Sequence, residues 1–337
     1  MTTQFKVLSL DGLCQKLCEN KRTLIIYHIR SDADAVGSAF ALKELLRMMG
    51  IPAYCACSDE IPERLQFLAD GTQGSVLLEE DLPIDYERVI SVDSASPSQL
   101  GALFTRLRRD VDIMIDHHAS GSVYADNYID SEAAATGEII YYIAERLCEM
   151  GEIDGIPTRV INCVYAAVSS DTGGFRYANA TPRAMRLAAK LIEAGVDSAE
   201  INRQLFDSKS LKQIQAEGEA IRRLRLHADG RVASTLLPYS VKAALELEDE
   251  HLGTLIDIPR SVFGVDIAFA IRQESAEGVF RVSMRSAIEF DVAKICAIFG
   301  GGGHKRAAGC TVEADSILDA EAKILEEIYK RMWDCFI

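Results

Sequence analysis

Residues 28–38 read His-Ile-Arg-Ser-Asp-Ala-Asp-Ala-Val-Gly-Ser, and the pattern of the chain changes across them. The apolar run before them, residues 24–27, is typical of a buried β-strand, and an amphipathic helical pattern follows them. Open α/β sheets place their chemistry where a strand ends and a helix begins. His28, Asp32 and Asp34 crowd an imidazole and two carboxylates into this place, and crowded carboxylates are costly unless a cation neutralises them. The stretch therefore predicts a divalent-metal site.

Three further groups of acidic and histidine residues follow predicted strands or helices. They are Asp93, the triplet Asp116-His117-His118, and Asp171. Because parallel strands all point the same way, side chains at their carboxyl ends converge on one crevice. Together with the first stretch they would supply enough oxygen and nitrogen ligands for two divalent ions that share a carboxylate, a donor set that suits Mn²⁺ or Mg²⁺ better than structural zinc. Two such ions ~3.5–4 Å apart activate water and stabilise both oxygens of an in-line phosphoryl displacement.

Each of these residues also has an ordinary structural interpretation. Asp32 could be the N-cap of the following helix, Asp93 a turn residue, and His117-His118 part of a surface loop. Taken together they favour the metal site, because four of the six histidines of the chain, residues 28, 117, 118 and 304, fall within such clusters at the ends of predicted elements.

Apolar patterns divide the rest of the chain into strands and helices. Strands are predicted at 23–28, 51–57, 89–92 and 111–115, between helices at 10–20, 34–49, 61–69, 97–109, 131–150 and 157–169. This alternation predicts an α/β fold with a mostly parallel sheet and helices on both faces. Helices at 181–194, 198–206 and 209–227 follow, and then a smaller α+β unit with strands at 231–236, 264–271, 279–284 and 309–314 and helices at 290–299 and from 316.

The sequence predicts two domains and a connector. These are a catalytic metal-binding domain at residues 1–195, a helical connector at 196–228 and a substrate-binding domain at 229–337. The charged helix at 209–227 is the candidate connector, although a solvent-exposed helix within one domain gives the same pattern. The active site is expected in the cleft between the two domains.

The charge balance limits the partners of the chain. Its 337 residues include 36 basic and 51 acidic side chains, a net charge of −15. Because long nucleic acids are bound largely by neutralising their phosphates with Lys and Arg, we expect no long-DNA partner. A nucleotide substrate would have to be short and held in a locally basic pocket.

The cysteines and the N-terminus indicate a cytoplasmic protein. Nine cysteines, none of them in a C-x-x-C pair, predict reduced and mostly buried thiols, and neither a disulfide framework nor a zinc site. Residues 1–6 lack the start of a secretory signal, and no apolar run approaches membrane-spanning length. No membrane partner is expected.

The motifs of this chain, in their order, resemble those of the DHH phosphoesterases. They are H-x-x-x-D-x-D-A-x-G-S at 28–38, Asp93 after V-I-S-V, the triplet at 116–118, and S-D-T-G-G-F at 170–175. The run G-G-G-G-H-K-R-A-A-G at 300–309, with Arg285-Ser286 before it, resembles the signature of the DHH-associated C-terminal domain. The match extends from about residue 20 to the end. Its layout is similar to that of the bifunctional oligoribonuclease and pAp phosphatase group, the nano-RNases.

The resemblance implies two Mn²⁺ ions, for which Mg²⁺ or Co²⁺ could substitute. The implied ligands are His28, Asp32 and Asp93 for one ion, and Asp34, Asp93, His117 and Asp171 for the other, with Asp93 bridging. It also implies two catalytic residues, Asp93 and His118, of which His118 contacts the scissile phosphate and assists the leaving group. Asp116 would orient the neighbouring imidazole from behind. Ser31 stands where the family commonly has proline, at a turn position that ligates nothing.

The resemblance also implies a phosphate-binding pocket in the C-terminal domain. Its expected residues are Arg285, Ser286, Gly301, Gly302, Gly303, His304, Lys305 and Arg306. Consecutive glycines let backbone N–H groups approach a phosphate closely, and helix starts favour anions. The basic side chains would form the positive pocket that an acidic protein needs. A flexible glycine loop and an ordinary salt bridge at Arg285 are the alternatives.

The function implied by the resemblance is hydrolysis of short oligoribonucleotides from one end, and of pAp to AMP and phosphate. A phosphodiesterase of cyclic di-AMP or of its linear product pApA is the main alternative, because it uses the same pair of domains. The glycine-rich domain disfavours an inorganic pyrophosphatase, the complete ligand set disfavours an idle nucleotide-binding module, and the acidic charge disfavours a long-DNA exonuclease. The expected partners are short RNA or small nucleotides, and the sequence leaves a homodimer open.

Overall fold

The computed structural model describes residues 5–69, 76–77, 82, 85–275 and 278–332. The chain divides into two compact units, Met1–Ser208 and Lys209–Ile337. This division falls inside the predicted connector, residues 196–228, whose own boundaries stay predictions.

The first unit is built on a six-stranded sheet in which every pairing is parallel. Its strands are β1 (Thr23–Ile26), β2 (Ala53–Ala56), β3 (Val76–Leu77), β4 (Arg88–Val92), β5 (Ile113–Asp116) and β6 (Asp126–Ile129). Their order across the sheet is β3-β2-β1-β4-β5-β6. The chain thus winds outward from β1 in one direction and then from β4 in the other. The space outside the carboxyl ends of β1 and β4 is therefore the switch point at which such sheets bind ligands.

Helices cover this sheet on both faces. They are α1 (Leu10–Leu17), α2 (Ala33–Met48), α3 (Ala102–Arg106), α4 (Thr136–Glu149), α5 (Thr158–Asp171), α6 (Pro182–Glu193) and α7 (Ser198–Asn202). Alternate residues in β1 and directly after it enter different cores: Ile25 and Tyr27 pack with α1, α2, α4 and α5, whereas Leu24 and Ile26 pack with Leu103 of α3. The predicted α/β fold with helices on both faces is confirmed.

Several predicted helices of the first unit differ from the structure. The helix predicted at 61–69 is a 3₁₀ helix, Glu63–Leu68. The helix predicted at 97–109 is interrupted because Gly101 has a φ of +64°, which separates the 3₁₀ turn Pro97–Leu100 from α3. The helix predicted at 131–150 begins only at Thr136, after a loop. The pattern does not predict β6, whose first two residues are polar and break the apolar run expected of a strand.

The second unit contains a mixed six-stranded sheet. Its strands are β7 (Arg225–His227), β8 (Val232–Leu237), β9 (Ile267–Gln273), β10 (Val279–Ser286), β11 (Gly302–His304) and β12 (Ala307–Glu313). The order is β11-β12-β10-β9-β8-β7, and the pairing of β8 with β9 is parallel while the others are antiparallel. The expectation of a smaller α+β unit is confirmed.

Helices pack on both faces of the second sheet as well. They are α8 (Leu211–Arg222), α9 (Tyr239–Ala244), α10 (Asp257–Arg260), α11 (Val292–Ile298) and α12 (Ile317–Met332). The helix predicted at 209–227 is wrong at its end, because residues 225–227 form the edge strand β7. Ala216 and Ala220 of α8 are buried in a cluster with Leu237 of β8, so α8 packs within the second unit. The active-site cleft expected between the two domains stays a prediction.

None of the helices in the described part of the chain has both the length and the apolar character needed to span a bilayer.

The packing of α2 on α5 yields a stability prediction. A Cβ on Gly37 of α2 would lie 2.6 Å from the carbonyl oxygen of Cys163 in α5. We expect Gly37→Ala to lower the free energy of unfolding by about 1–3 kcal/mol, because the two backbones must separate. At the exposed Gly218 of α8 an added Cβ meets no atom within 4 Å. Gly218→Ala should therefore raise the free energy of unfolding by about 0.5–1 kcal/mol, since glycine is the poorer helix former.

Urea unfolding followed by circular dichroism measures both variants. A Gly37→Ala protein as stable as the wild type would contradict the close approach of α2 and α5.

Candidate metal centre

His28, Asp32 and Asp34 lie where β1 passes into α2. Asp32 is the N-cap of α2, and its Oδ1 accepts hydrogen bonds from the backbone N–H of Asp34 (3.0 Å) and of Ala35 (3.1 Å). The N-cap interpretation of Asp32 is therefore confirmed. The same carboxylate also faces the imidazole of His28, whose Nε2 lies 3.7 Å from Asp32 Oδ1. The Nδ1 of His28 is 2.8 Å from the carbonyl oxygen of Ile29, so Nε2 is the nitrogen that faces the carboxylates.

Asp93 follows β4 in a backbone conformation that few residues other than glycine adopt. Its φ is +52°, and its N–H donates to the carbonyl of Ile115 (3.0 Å). Asp93 is only 2% exposed. Its Oδ2 lies 3.4 Å from Nε2 of His28, and its Oδ1 accepts a hydrogen bond from the hydroxyl of Thr136 (3.0 Å). Strained conformations of this kind persist where the surrounding structure imposes them, and they concentrate at functional sites.

His117, directly after β5, is the centre of a second group. Its Nε2 lies 3.3 Å from Oδ2 of Asp171, 3.8 Å from Oδ2 of Asp34 and 3.7 Å from Oδ1 of Asp93. Its Nδ1 lies 3.3 Å from the carbonyl oxygen of Ala133. Asp171 is the last residue of α5. A strand end, a helix start and a helix end therefore meet at this imidazole.

The six predicted metal ligands thus come together in two clusters. The first cluster is His28, Asp32 and Asp93, and the second cluster is Asp34, His117 and Asp171. Within each cluster the potential ligand atoms lie within 4.8 Å of one another. By the same measure Asp93 forms a third set with His117 and His118. Asp93 therefore borders both clusters, which is the position required of a bridging carboxylate.

The second cluster fits a divalent cation better than it fits a hydrogen-bond network. The distances of 3.3 to 3.8 Å from His117 Nε2 to the carboxylate oxygens exceed the usual N–H···O range of about 2.7–3.2 Å. Burial and the negative charges of Asp93 and Asp32 raise the pKa of Asp34 well above its ordinary value, and burial and Asp34 do the same for the pKa of Asp171. A cation would relieve this crowding, and a set of carboxylates and imidazole without thiolate suits Mn²⁺ or Mg²⁺.

In the first cluster the pKa of Asp32 is lowered, whereas in the second cluster the pKa values of both aspartates are raised. Burial disfavours a charged imidazole, but the carboxylates of Asp32 and Asp93 outweigh burial and raise the pKa of His28 to about 12. Burial likewise opposes ionisation of Asp32, but His28 outweighs it and lowers the pKa of Asp32 to about 2. The raised pKa of His28 favours a protonated imidazole when no metal is bound, and metal binding would release that proton.

Asp34 is held in place by Ser38, the last residue of its own motif, and by two residues outside the motifs. Its Oδ2 accepts a hydrogen bond from the N–H of Thr136 (2.7 Å), and its Oδ1 accepts from the N–H of Gly137 (2.8 Å) and from the hydroxyl of Ser38 (3.0 Å). The first N–H groups of a helix have no partner within it, so the start of α4 suits a carboxylate. The sequence signal that could identify this support is Thr136, directly before the apolar run of α4. Because the sequence predicts a helix from residue 131, it does not mark Thr136 as the start of α4.

Asp116 organises the histidine pair, but the imidazole that it contacts belongs to His118. Asp116 Oδ1 lies 2.7 Å from Nδ1 of His118 and accepts the backbone N–H of His117 (2.8 Å) and of His118 (3.2 Å). The ring of His117 lies against Ala133 instead, and the orienting role expected of Asp116 towards a neighbouring imidazole stays a prediction. The hydrogen bond to Asp116 raises the pKa of His118 and leaves Nε2 as the nitrogen that can meet a substrate.

Ser31, where the family commonly has proline, is buried and supports the backbone of the first cluster at His28. Its hydroxyl donates to the carbonyl of His28 (2.9 Å). The residue stabilises the turn, as expected, and is in none of the three ligand sets.

The eight predicted substrate-binding residues lie at one end of the second sheet. Arg285 pairs with Ala307 on one side of β12, and His304 pairs with Ala307 on the other. Ser286 is buried, and its hydroxyl donates to the carbonyl of Ile288 (2.9 Å). Lys305 contacts Glu289, and Arg306 Nη2 lies 2.8 Å from Glu289 Oε1, which lowers the pKa of Glu289. The basic residues are thus together, with an acidic partner among them.

Two of the four glycines of the run lie in a strand and not in a flexible loop. The run follows the end of α11, and Gly302 and Gly303 belong to β11. A Cβ on Gly301 would lie 2.2 Å from the carbonyl oxygen of Gly309, and one on Gly303 would lie 2.6 Å from that of Ala307. These two glycines are therefore required by the close approach of the run to β12.

Removing one carboxylate from the second cluster should change stability and metal response in opposite directions. The raised pKa of Asp171 means that its contribution to stability is present at low pH and is lost as the pH rises from about 4 towards the folded pKa. We therefore expect metal-free Asp171→Asn to melt at a higher temperature than the wild type at pH 8. Its gain in melting temperature on adding Mn²⁺ should be smaller, because a ligand is missing.

Asp154→Asn is the matched control, because it removes the same charge from an exposed position of the same unit. Thermal unfolding at pH 8, with chelator and with MnCl₂, compares the three proteins. A full response to Mn²⁺ in Asp171→Asn would count against Asp171 as a ligand.

Comparison with known proteins extends over nearly the whole chain. The bifunctional oligoribonuclease and PAP phosphatase NrnA of Thermus thermophilus is 29% identical over 312 residues, which is 91% of this chain and 89% of that protein. The Bacillus subtilis protein of the same name is 26% identical over 309 residues, 88% of this chain and 92% of that protein. A crystal structure of an exopolyphosphatase-related protein from Bacteroides fragilis matches with a TM-score of 0.85 at 20% identity, covering 96% of this chain and 95% of that one, and shows that the two share a fold.

Two family models match separate parts of the chain, one in each half. The model of the DHH family N-terminal domain matches residues 22–168, which include all the predicted metal ligands except Asp171. The model of the DHHA1 domain matches residues 237–334, which include the glycine run and the basic residues beside it. The chain therefore contains a DHH family N-terminal domain followed by a DHHA1 domain, the pair of domains of a phosphoester hydrolase.

Proposed function

We propose that the chain is a Mn²⁺-dependent phosphoesterase that removes nucleotides from one end of short oligoribonucleotides and converts pAp into AMP and phosphate. The observation that carries the proposal is the position of Asp93, which borders two clusters of carboxylate and imidazole ligands. Similarity over most of the chain to proteins named for both activities supports this choice of substrates. The cytoplasmic location expected from the sequence stays a prediction.

The two clusters would hold two ions that share Asp93. One set of ligands is His28, Asp32 and Asp93, and the other is Asp34, Asp93, His117 and Asp171. Such ions, when bound, activate water and offset the charge that develops on the phosphoryl oxygens. Mn²⁺ fits the carboxylate and imidazole donors, and Mg²⁺ or Co²⁺ would be substitutes.

His118 is the residue that we assign to the scissile phosphate and the leaving oxygen. Its Nδ1 is engaged by Asp116, which raises the pKa of the imidazole and favours its charged form. The charged ring can donate from Nε2 to a phosphoryl oxygen and can supply a proton to the departing oxygen. Asp93, as the residue shared by both ligand sets, would keep these two sets at a fixed distance from each other.

The second unit is proposed to bind a phosphate group of the nucleotide. Arg285, Lys305 and Arg306 bring positive charge to one end of its sheet, beside His304, in a chain whose net charge is −15. Exposed ion pairs such as those with Glu289 contribute little to stability, so an incoming phosphate can compete for the cations. Because the positive charge is confined to this place on an otherwise acidic chain, it favours a short substrate over long DNA or RNA.

A substrate panel with Mn²⁺ tests the proposal. We expect wild-type protein to hydrolyse a pentanucleotide RNA and pAp, and to act more slowly on pApA and cyclic di-AMP. Asp93→Ala should lose activity on every substrate by about 10³-fold or more, because both ligand sets lose a member. Asp154→Ala, an exposed acidic residue, is the control and should retain full activity.

Faster turnover of cyclic di-AMP or pApA than of RNA and pAp would replace the proposed substrates with the cyclic-dinucleotide alternative. Undiminished activity of Asp93→Ala would refute the metal assignment itself.

The pairing of Asp116 with His118 predicts a change in pH dependence. If His118 acts in its protonated form, the rate falls at high pH as its imidazole loses the proton. Asp116→Asn removes the charge that raises the pKa of His118, so the alkaline limb should move to lower pH. At neutral pH we expect kcat to fall by about 10²-fold. Profiles of kcat against pH measure this, and an alkaline limb that stays in place would exclude His118 as the proton donor.

A further inference from the structure

We propose that Asn179 is a positioning residue of the second cluster, whose side-chain amide ties the backbone carbonyl of Asp171 to that of Ala134, in the segment that contacts His117 and Asp34. The proposal rests on the proposed function in one respect, which is that Asp171 and His117 are taken as metal ligands. Asn179 lies outside the motifs and outside all three ligand sets.

The amide of Asn179 bridges two carbonyl groups. Its Nδ2 donates to the carbonyl oxygen of Asp171 (3.1 Å) and to that of Ala134 (3.2 Å). An amide nitrogen carries two hydrogens, so both are used. The carbonyl of Asp171 is among the last of α5, and carbonyls at a helix end have no partner within the helix. Asn179 therefore closes the end of α5 against a different segment of the chain.

That other segment supports the remaining members of the second cluster. The carbonyl of Ala133 contacts Nδ1 of His117, and the N–H of Thr136 donates to Asp34. Between them, the N–H of Ala134 donates to Oε2 of the buried Glu138 (2.8 Å). The residue Ala134 is thus held by Glu138 at its N–H and by Asn179 at its carbonyl oxygen.

Asp171 depends on its backbone for its position. In the described part of the chain no hydrogen bond is seen to its carboxylate, whose Oδ2 lies 3.3 Å from Nε2 of His117. Directly after it the chain turns through Gly173 and Gly174, with φ values of +59° and +67°. The bridge from Asn179 spans this turn and returns to Asp171, so it limits how far the end of α5 can move.

Asn179 is itself well placed to act as a support. Its carbonyl oxygen accepts the N–H of Thr181 (2.8 Å), and Thr181 is the N-cap of α6. The side chain is partly buried. The amide therefore starts from a fixed backbone and does not need to be ordered by the metal.

The experiment is a calorimetric titration of metal-free protein with Mn²⁺ in the absence of substrate. Asp171→Asn identifies the binding step that belongs to the second cluster, because that step is weakened when a ligand is lost. In Asn179→Ala we expect the Kd of the same step to rise about 10- to 100-fold, the usual effect of removing a residue that supports a metal ligand. The step of the first cluster should stay within about twofold of the wild type.

Asn127→Ala is the matched control. Asn127 is a buried residue of the same unit, and its Nδ2 donates to the carbonyl oxygens of Ala125 (3.3 Å) and Lys6 (3.4 Å), away from both clusters. Its loss should leave both binding steps unchanged, even where the melting temperature falls. Asn179→Asp is a second variant, which keeps the shape of the side chain, adds a negative charge and cannot donate.

The outcomes separate the two proposals. Weakening of the second-cluster step in both Asn179 variants supports the inference, because the added charge of Asp would by itself strengthen cation binding. Unchanged steps in Asn179→Ala, equal weakening of both steps, or tighter binding by Asn179→Asp would overturn it while leaving the proposed function intact. Wild-type binding of Mn²⁺ by Asp171→Asn would overturn the metal assignment, and the role of Asn179 with it.

Discussion

Mutual repulsion among four buried or half-buried carboxylates is the constraint around which the first unit is arranged. Backbone N–H groups at the start of α2 donate to the carboxylate of Asp32, which caps that helix, and N–H groups at the start of α4 donate to the carboxylate of Asp34. These hydrogen bonds partly offset the repulsion. Asp93 is bonded by a hydroxyl group. Asp171 is the last residue of α5, and the negative end of the helix dipole does not stabilise a carboxylate there. The need for a cation is therefore greatest on the side of Asp171.

The four carboxylates of the two clusters are buried or half-buried, whereas the basic residues near the glycine run of the second unit lie at the surface. The basic residues near the glycine run are exposed, and Lys305 and Arg306 share one acidic partner, Glu289. The strand between them and Arg285 is held close to its neighbour by glycines that leave no room for side chains. Such a surface is rigid in its backbone while its cations can change partners. These are the properties expected of a site that binds phosphate and releases it.

Much of the fold, and the meeting of most residues of the two clusters, could be predicted from the sequence for one physical reason. His28, Asp93 and the pair His117-His118 each follow an apolar run of strand type, and the ends of parallel strands must meet. The supports of these ligands could not be predicted in the same way. Thr136 and Asn179 act through hydrogen bonds whose geometry depends on where a helix begins and how a loop turns. Neither property has a periodic signature. The contact of Asp116 with His118 rather than His117 depends on ring orientation, which the sequence does not contain.

The positions of the ligands along the chain have a consequence for the order of events during synthesis. The second cluster takes one side chain from residue 34, one from residue 117 and one from residue 171. A nascent chain that stops short of α5 lacks a full coordination sphere, however well its early strands have paired. If the second cluster binds an ion, that ion can therefore be captured only after the helices that supply its ligands have packed on the parallel sheet. Unlike a zinc finger, in which the ion organises a short peptide, the proposed second site would have to be built before it could bind metal.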